Sequence, residues 1–270
     1  MKKFKIDHDL HIHTALSLCS RDPGETTEAI LDYGLKNGYK VLAVTDHFWD
    51  EKIPGASDWY KIQNFEHISQ SMPLPSNDGI RFHFGCETEM RMDGLVAISP
   101  ETCEKTDFII VPTTHLHMHG LTIDPEKDDS AESRARLWES RLERLLQQKL
   151  PSGKTGIAHL TCPLMGGRGA AFEKHIDIVK ELDAKKMAEL FTEACRQNIG
   201  IELNMPIFAY NEEQIEIIMR PYRIARDCGC KFYLGSDAHH PKKLEEAPQV
   251  FERILQIFGL GEADKFDFLQ

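Results

Sequence analysis

The sequence lacks long hydrophobic runs, an export signal and paired cysteines. Its apolar runs, such as residues 108–111, are far shorter than the roughly 20 apolar residues of a membrane-spanning helix. The two lysines near the amino terminus are not followed by an apolar stretch of signal-peptide length. The seven cysteines are odd in number and show no CxxC spacing, which is typical of reduced thiols. We therefore expect a cytoplasmic protein with no membrane partner.

The sequence also lacks an excess of positive charge. It has 32 Lys and Arg residues against 43 Asp and Glu residues, a net charge of −11, which disfavours long nucleic acid as a partner. It contains no internal repeat and no low-complexity tract. With 270 residues, of which 41% are hydrophobic, the chain is long enough for one large α/β barrel with a buried core. We predict a single domain over residues 1–270.

Short β-branched or aromatic runs alternate with longer helical patterns, which predicts βα units and a parallel sheet. The predicted strands cover residues 4–10, 41–47, 80–87, 108–115, 156–160, 201–205 and 231–239. The predicted helices cover residues 26–37, 130–150, 173–198, 211–228 and 243–258. The long segment 49–79, rich in Pro, Ser and Asp, is predicted to contain a short helix near 59–70 and to form a lid.

Six of the seven predicted strands end on histidine or acidic side chains. These side chains are His11, His13, His47, Glu87, His115, His159, Asp237 and His239. In a parallel barrel the carboxyl ends of all strands open on one face, so these groups are expected to converge. Burying them together is costly unless they are paired or bind a cation. Imidazole with carboxylate suits Zn, Mn or Fe, and a bridging carboxylate favours more than one ion.

Each of these motifs has a simpler structural interpretation when it is taken alone. His11 and His13 share one face of a strand, but a histidine is more often a satisfied core or surface residue. Asp46 and Asp237 could each cap a helix, and Glu87 could be a solvated strand end. Their joint placement at strand ends is what favours a metal site over these alternatives.

Six short motifs resemble those of a known family. DLHIHT at 9–14, TDH at 45–47, GCE at 85–87, TTH at 113–115, AHL at 158–160 and GSDAH at 235–239 resemble, in order and spacing, motifs of the PHP (polymerase and histidinol phosphatase) family. The resemblance runs from about residue 7 to residue 240. It implies a distorted seven-stranded (β/α) barrel of the TIM-like type with two or three divalent metal ions, for which Zn, Fe and Mn are the candidates.

The resemblance also implies three sets of ligands. The first set is His11, His13, Glu87 and Asp237, the second is Glu87, His115 and His159, and the third is His47 and His239 with one further ligand. In this assignment Glu87 bridges two ions. The further ligand is often His or Asp in the family, but Cys19 occupies that position here, with Asp22 nearby. Cys19 is predicted to bind metal as a thiolate, and the alternative is a buried small hydrophobic side chain.

The implied activity is hydrolysis of a small phosphate monoester by a hydroxide that bridges two metal ions, similar to the reaction of histidinol-phosphate phosphatase. Asp237 and His239 are the candidate catalytic residues. Arg168, in the sequence GGRG at 166–169, is the candidate for binding the substrate phosphate, although this loop could be a plain surface turn. Arg134 and Arg136 are the weaker alternatives. His117, His119 and His240 could each protonate a leaving group or have no such role.

Two other functions stay open on the sequence alone. One is a phosphodiesterase or exonuclease-like activity on nucleotides or short oligonucleotides. The other is a catalytically silent metal-binding interaction domain, against which the number of candidate ligands argues. The favoured partner is a small phosphorylated metabolite.

Overall fold

Short buried strands alternate with helices along the chain in the computed structural model, which describes residues 2–20, 22–124 and 129–269. The strands are β1 (His8–Ile12), β2 (Val41–Val44), β3 (His47–Phe48), β4 (Arg81–Thr88), β5 (Phe108–Pro112), β6 (Thr155–Ala158), β7 (Gly200–Leu203) and β8 (Phe232–Leu234). The helices are α1 (Thr27–Asn37), α2 (Asp58–Lys61), α3 (Phe65–Ile68), α4 (Pro100–Lys105), α5 (Ala131–Gln147), α6 (Lys174–Glu181), α7 (Ala184–Arg196), α8 (Glu212–Asp227) and α9 (Pro241–Phe258).

The sheet is parallel, with the strand order β1-β2-β4-β5-β6-β7-β8, and the two-residue β3 pairs with the end of β4. The gap between β8 and β1 is bridged beyond the end of β8. There the His13 amide donates to the Ala238 carbonyl at 3.0 Å, and the Asp237 amide donates to the His11 carbonyl at 2.7 Å. The strands thus form a nearly closed seven-stranded barrel surrounded by helices, which confirms the predicted α/β, TIM-like fold.

Buried side chains alternate between the two faces of the sheet. One small cluster takes Leu10 from β1, Ala43 from β2, Ile110 from β5 and Tyr233 from β8. The intervening positions, such as Leu42, pack with helix residues in a much larger cluster. Because strand side chains alternate, the small cluster fills the barrel and the large one joins barrel to helices. The histidine-rich strand ends lie above this filled interior.

Several predicted elements differ in their bounds, among them the first strand, which was predicted over 4–10 and is observed at His8–Ile12. The single helix predicted over 173–198 is wrong: α6 ends at Glu181, and the Asp183 side chain caps α7 by accepting from the Lys186 amide at 2.7 Å. The strand predicted over 41–47 is broken into β2 and β3. The last predicted strand, 231–239, is observed only as Phe232–Leu234, and beyond it Asp237 adopts a left-handed backbone with φ 52°.

The predicted lid segment, 49–79, is largely at the surface and is anchored by a few buried side chains. It contains two short helices, α2 and α3, near the place where one was predicted. The Trp49 indole donates to the Ile53 carbonyl at 2.7 Å, and Asp50 accepts from the Thr102 hydroxyl at 2.7 Å. These contacts anchor the start of the segment that leads to α2. Among the described residues, we find no helix with both the length and the apolar character needed to span a bilayer.

Candidate metal centre

The predicted side chains meet at the carboxyl ends of the strands. Their ligand atoms form three groups, each with its atoms within 4.8 Å of one another. The groups are His11, His13, Glu87 and Asp237; Glu87, His115 and His159; and His13, His47 and His239. The first two match the sets implied by the family resemblance. The third contains both predicted histidines, but His13 is its third member within the described residues.

His11, in β1, and His13, just after β1, face each other across 3.0 Å between their Nε2 atoms. The Nδ1 atom of His11 lies 2.6 Å from Glu202 Oε1, so this nitrogen carries a proton that it donates. The Nδ1 atom of His13 lies 2.9 Å from the Ser17 hydroxyl, whose own proton goes to Asp46 at 2.6 Å. His13 Nδ1 must therefore also be the donor. In their neutral forms both imidazoles thus present an Nε2 lone pair to the other.

Two facing lone pairs repel each other unless a cation lies between them. A proton can take this place. Burial lowers the pKa of His11, but three neighbouring carboxylates outweigh burial and raise this pKa well above its usual value. A divalent ion would serve the same purpose with more ligands. The Nε2 atoms of His11 and His13 lie 3.4 and 3.1 Å from Asp237 Oδ1, which places a carboxylate oxygen in the same group.

His115 and His159 are oriented in the same way. His115 Nδ1 donates to Glu89 Oε2 at 2.7 Å, and His159 Nδ1 lies 2.6 Å from the Thr114 hydroxyl. Their Nε2 atoms lie 4.0 and 3.4 Å from Glu87 Oε1. Partners of this kind on Nδ1 are typical of histidines that bind metal through Nε2.

Glu87 lies between the groups with one oxygen toward each. Oε1 faces His115 and His159, whereas Oε2 lies 3.5 Å from His13 Nε2 and 2.8 Å from His47 Nδ1. The side chain is buried, yet neither oxygen makes a well-directed hydrogen bond to any described residue. Burial raises its pKa, but His47 and His11 outweigh burial and hold the pKa well below the usual value. A buried carboxylate that is charged and lacks hydrogen bonds fits a metal ligand.

The third group includes His47 and His239, whose Nε2 atoms are 3.5 Å apart. Cys19 is exposed beside them, so the alternative of a buried small hydrophobic side chain is wrong. Partial desolvation by its neighbours raises the pKa of the Cys19 thiol, but hydrogen bonds with His239 and His47 outweigh it and lower that pKa to about 7. Asp22 points elsewhere: its Oδ2 lies 3.0 Å from His240 Nε2, and His240 caps α9. Neither Asp22 nor His240 belongs to the three groups.

Two of the candidate ligands have a strained backbone, as do Lys149 and Asn198, which belong to none of the three groups. Asp237 and His159 have positive φ values of 52° and 23°. Positive φ costs a residue other than glycine on the order of 1–3 kcal/mol and is often found at functional sites. The neighbouring Gly235 is required by contact, since a Cβ there would lie 1.9 Å from Glu202 Oε1 and 2.6 Å from the His11 Cβ.

Several side chains that orient the ligands were missed by sequence reasoning. Glu202 lies within the predicted strand 201–205 and was assigned no role, although it accepts from His11 Nδ1 at 2.6 Å and from the His159 amide at 2.5 Å. Glu89 also accepts from Arg141 at 3.1 Å. Its position two residues after Glu87, on the same face, was a usable signal. Ser17 and Thr114 lack such a signal, because short hydroxyl side chains are common in loops.

A cavity of about 740 Å³ opens beside the three groups. Arg168 lines it, as do His117 and His119. Burial and the nearby His115 lower the pKa of His117 to about 3, which favours its neutral form. His240 does not line the cavity, so its predicted alternative as a proton donor is not supported by its position.

Arg134 and Arg136, the alternatives for binding the substrate phosphate, do not line the cavity. Arg134 is buried and donates to the Leu116 carbonyl at 2.6 Å and to the Met165 carbonyl at 2.7 Å. It therefore holds the loop after β5 against the loop after β6, which carries Arg168. Arg136 points to the surface and pairs with Glu139 at 3.0 Å. An Arg-rich helix start thus serves packing here, whereas the glycine-flanked arginine lines the cavity.

Replacing Cys19 by alanine is expected to remove one metal ion per chain. The thiol lies against His47 and His239, and a thiolate there would favour zinc or iron over manganese or magnesium. Metal analysis of purified Cys19→Ala beside the parent protein measures the loss, with Cys195→Ala, on α7, as the matched control. An unchanged metal count would show that Cys19 is not a ligand. The third ligand beside His47 and His239 would then be His13 or water.

The fold is similar to that of solved histidinol phosphatases. A histidinol phosphate phosphatase from Lactococcus lactis, solved with Zn, L-histidinol and phosphate, aligns with a TM-score of 0.55 at 16% identity over 92% of this chain and 93% of the other. A putative histidinol phosphatase from Listeria monocytogenes aligns with a TM-score of 0.55 at 13% identity over 90% and 99% of the two chains. No protein-family model and no curated protein matches the sequence.

Proposed function

We propose that this chain is a metal-dependent phosphatase that hydrolyses a small phosphate monoester. The observation that carries the proposal is the arrangement of imidazole Nε2 atoms around Glu87, with His11 and His13 each held by a partner on Nδ1. Such a donor set fits two or three Zn, Fe or Mn ions. The similarity in fold to a phosphatase solved with zinc and phosphate supports the same assignment.

In this proposal the chain's residues divide the work. Bound metal ions would supply a water molecule of lowered pKa and would neutralise charge on the phosphate. Glu87 would hold two ions together, and Asp237 would complete the first ligand set beside His11 and His13. Asp237 and His239 both line the cavity, so they are the candidate catalytic residues that a substrate can reach.

Arg168 is proposed to bind the substrate phosphate. It lines the cavity on a loop between two glycines of positive φ, Gly167 at 97° and Gly169 at 75°. The loop is fixed below by Arg134, so the arginine is presented from a supported turn.

Arg168→Ala is expected to raise KM about tenfold with a smaller fall in kcat, because the guanidinium grips the phosphate similarly in ground and transition states. Steady-state kinetics on one monoester measures both constants. Arg136→Ala, which removes a surface arginine of α5, is the matched control. An unchanged KM in Arg168→Ala would assign phosphate binding to another cation.

The proposed function is tested by a turnover screen on the purified protein. A monoester, p-nitrophenyl phosphate, and a diester, bis(p-nitrophenyl) phosphate, are compared before chelation, after it, and after return of Zn, Fe or Mn. We expect metal-dependent hydrolysis of the monoester. Preference for the diester would favour the phosphodiesterase alternative, and metal binding without turnover of either ester would favour the silent interaction domain.

A further inference from the structure

The cavity wall that faces the candidate metal centre is largely apolar. Trp59, at the start of α2 in the lid segment, lines it from one side, and Met118, Leu121 and Leu164 line it from others. The Trp59 ring meets the His47 ring edge to face, with 5.2 Å between centroids. A phosphate bound at His47 would thus place its esterified group against this indole.

Trp59 is held in this place by its neighbours. Its ring packs edge to face on Tyr60 at 4.7 Å, and Tyr60 is buried with its hydroxyl donating to Glu89 at 3.2 Å. Glu89 in turn binds His115. The indole nevertheless keeps 37% of its surface exposed. A large aromatic face that is both fixed and accessible is a ready contact surface for a ligand.

The charges of the lining point in the same direction. The carboxylates that line the cavity are Glu87 and Asp237, and both belong to the candidate ligand groups. In the described ranges, no other acidic side chain lines it. Arg168 adds a positive charge. Among the described residues, a substrate ammonium group would therefore have no carboxylate outside the candidate ligand groups to pair with.

We infer that the group esterified to the substrate phosphate is uncharged and apolar, with an aromatic or branched aliphatic part that packs on Trp59, and that cationic amino-alcohol phosphates are rejected. The inference rests on the proposed phosphatase function and names its substrate class. In the reaction, the oxygen of water bonds to phosphorus, the ester P–O bond breaks, and the released alcohol takes a proton that the water has lost.

The test uses isosteric pairs that differ only in charge. n-Propyl phosphate and O-phosphoethanolamine have the same length, as do propylphosphonate and 2-aminoethylphosphonate, which cannot be hydrolysed. Benzyl phosphate and benzylphosphonate add the aromatic ring. We expect the specificity constant and the phosphonate affinity of the metal-loaded protein to favour the propyl over the ammonium compound by about tenfold or more, and benzyl over propyl by a further severalfold.

Trp59→Ala and Trp59→Phe separate a specific contact from a general effect. Trp59→Ala is expected to remove most of the benzyl preference, and Trp59→Phe to retain much of it, with hydrolysis of propyl phosphate changed far less in both. Equal hydrolysis and equal binding of the propyl and ammonium compounds would overturn the inference while leaving the phosphatase assignment in place. Absence of hydrolysis for every monoester together with absence of phosphonate binding would overturn both.

Discussion

Replacing Glu87 by glutamine is expected to abolish metal-dependent turnover while the barrel still folds. The carboxylate presents one oxygen to His115 and His159 and the other to His13, so a single side chain serves two ligand groups. A neutral amide offers one oxygen and one NH₂ group, and the latter cannot bind a cation. Partners that merely orient ligands cost about 10- to 100-fold when they are removed, so a bridging ligand should cost more than about 100-fold in kcat/KM.

This result is measured as kcat/KM and metal content, with circular dichroism to show that the fold is retained. Glu101→Gln is the matched control, because Glu101 is an exposed glutamate that pairs with two lysines away from the site. Full activity and full metal content in Glu87→Gln would contradict the bridging role. Loss of folded protein would be seen in the circular dichroism spectrum. In that case kcat/KM and metal content would be compared between the parent protein and Glu87→Asp, which keeps the charge.

The parts of this site that could be predicted are those that follow from local pattern and strand polarity. His11 and His13 stand two apart at the end of a strand, and parallel strands bring their ends to one face whatever the distance in sequence. The same reasoning placed His115, His159 and Asp237 correctly within the cluster. These predictions needed no side-chain contact, because the barrel alone imposes them.

The parts that could not be predicted depend on long-range contacts of individual atoms. The flanking glycines favoured Arg168, which lines the cavity, but nothing local predicted that Arg134 ties two loops together. Asp22 lies near Cys19 in sequence, yet its carboxylate is taken by His240. In each case the deciding partner is distant in the chain, so spacing carries no information about it.

The role of Glu202 also depends on partners that are distant in the chain, so it could not be predicted from spacing. It lies on the buried face of β7, far in sequence from the two elements that it joins. One oxygen accepts from His11 Nδ1 at 2.6 Å, and the other accepts from the His159 amide at 2.5 Å. It thereby fixes the tautomer of one candidate ligand and the strained backbone of another. Gly235 leaves the space that this carboxylate needs.

Glu202→Gln is therefore expected to weaken metal binding by about 10- to 100-fold. An amide has only one oxygen, so either His11 loses its acceptor or the His159 amide faces an NH₂ group, and the unpaired buried donor should lower the free energy of unfolding by about 1–3 kcal/mol. Competition with a chelator measures the metal affinity, and denaturant unfolding of metal-free protein measures the stability. Glu213→Gln, on the exposed first turn of α8, is the control. If the metal affinity falls while metal-free stability is unchanged, Glu202 acts only on the ligands; if the affinity equals that of the parent, Glu202 has no role in positioning His11.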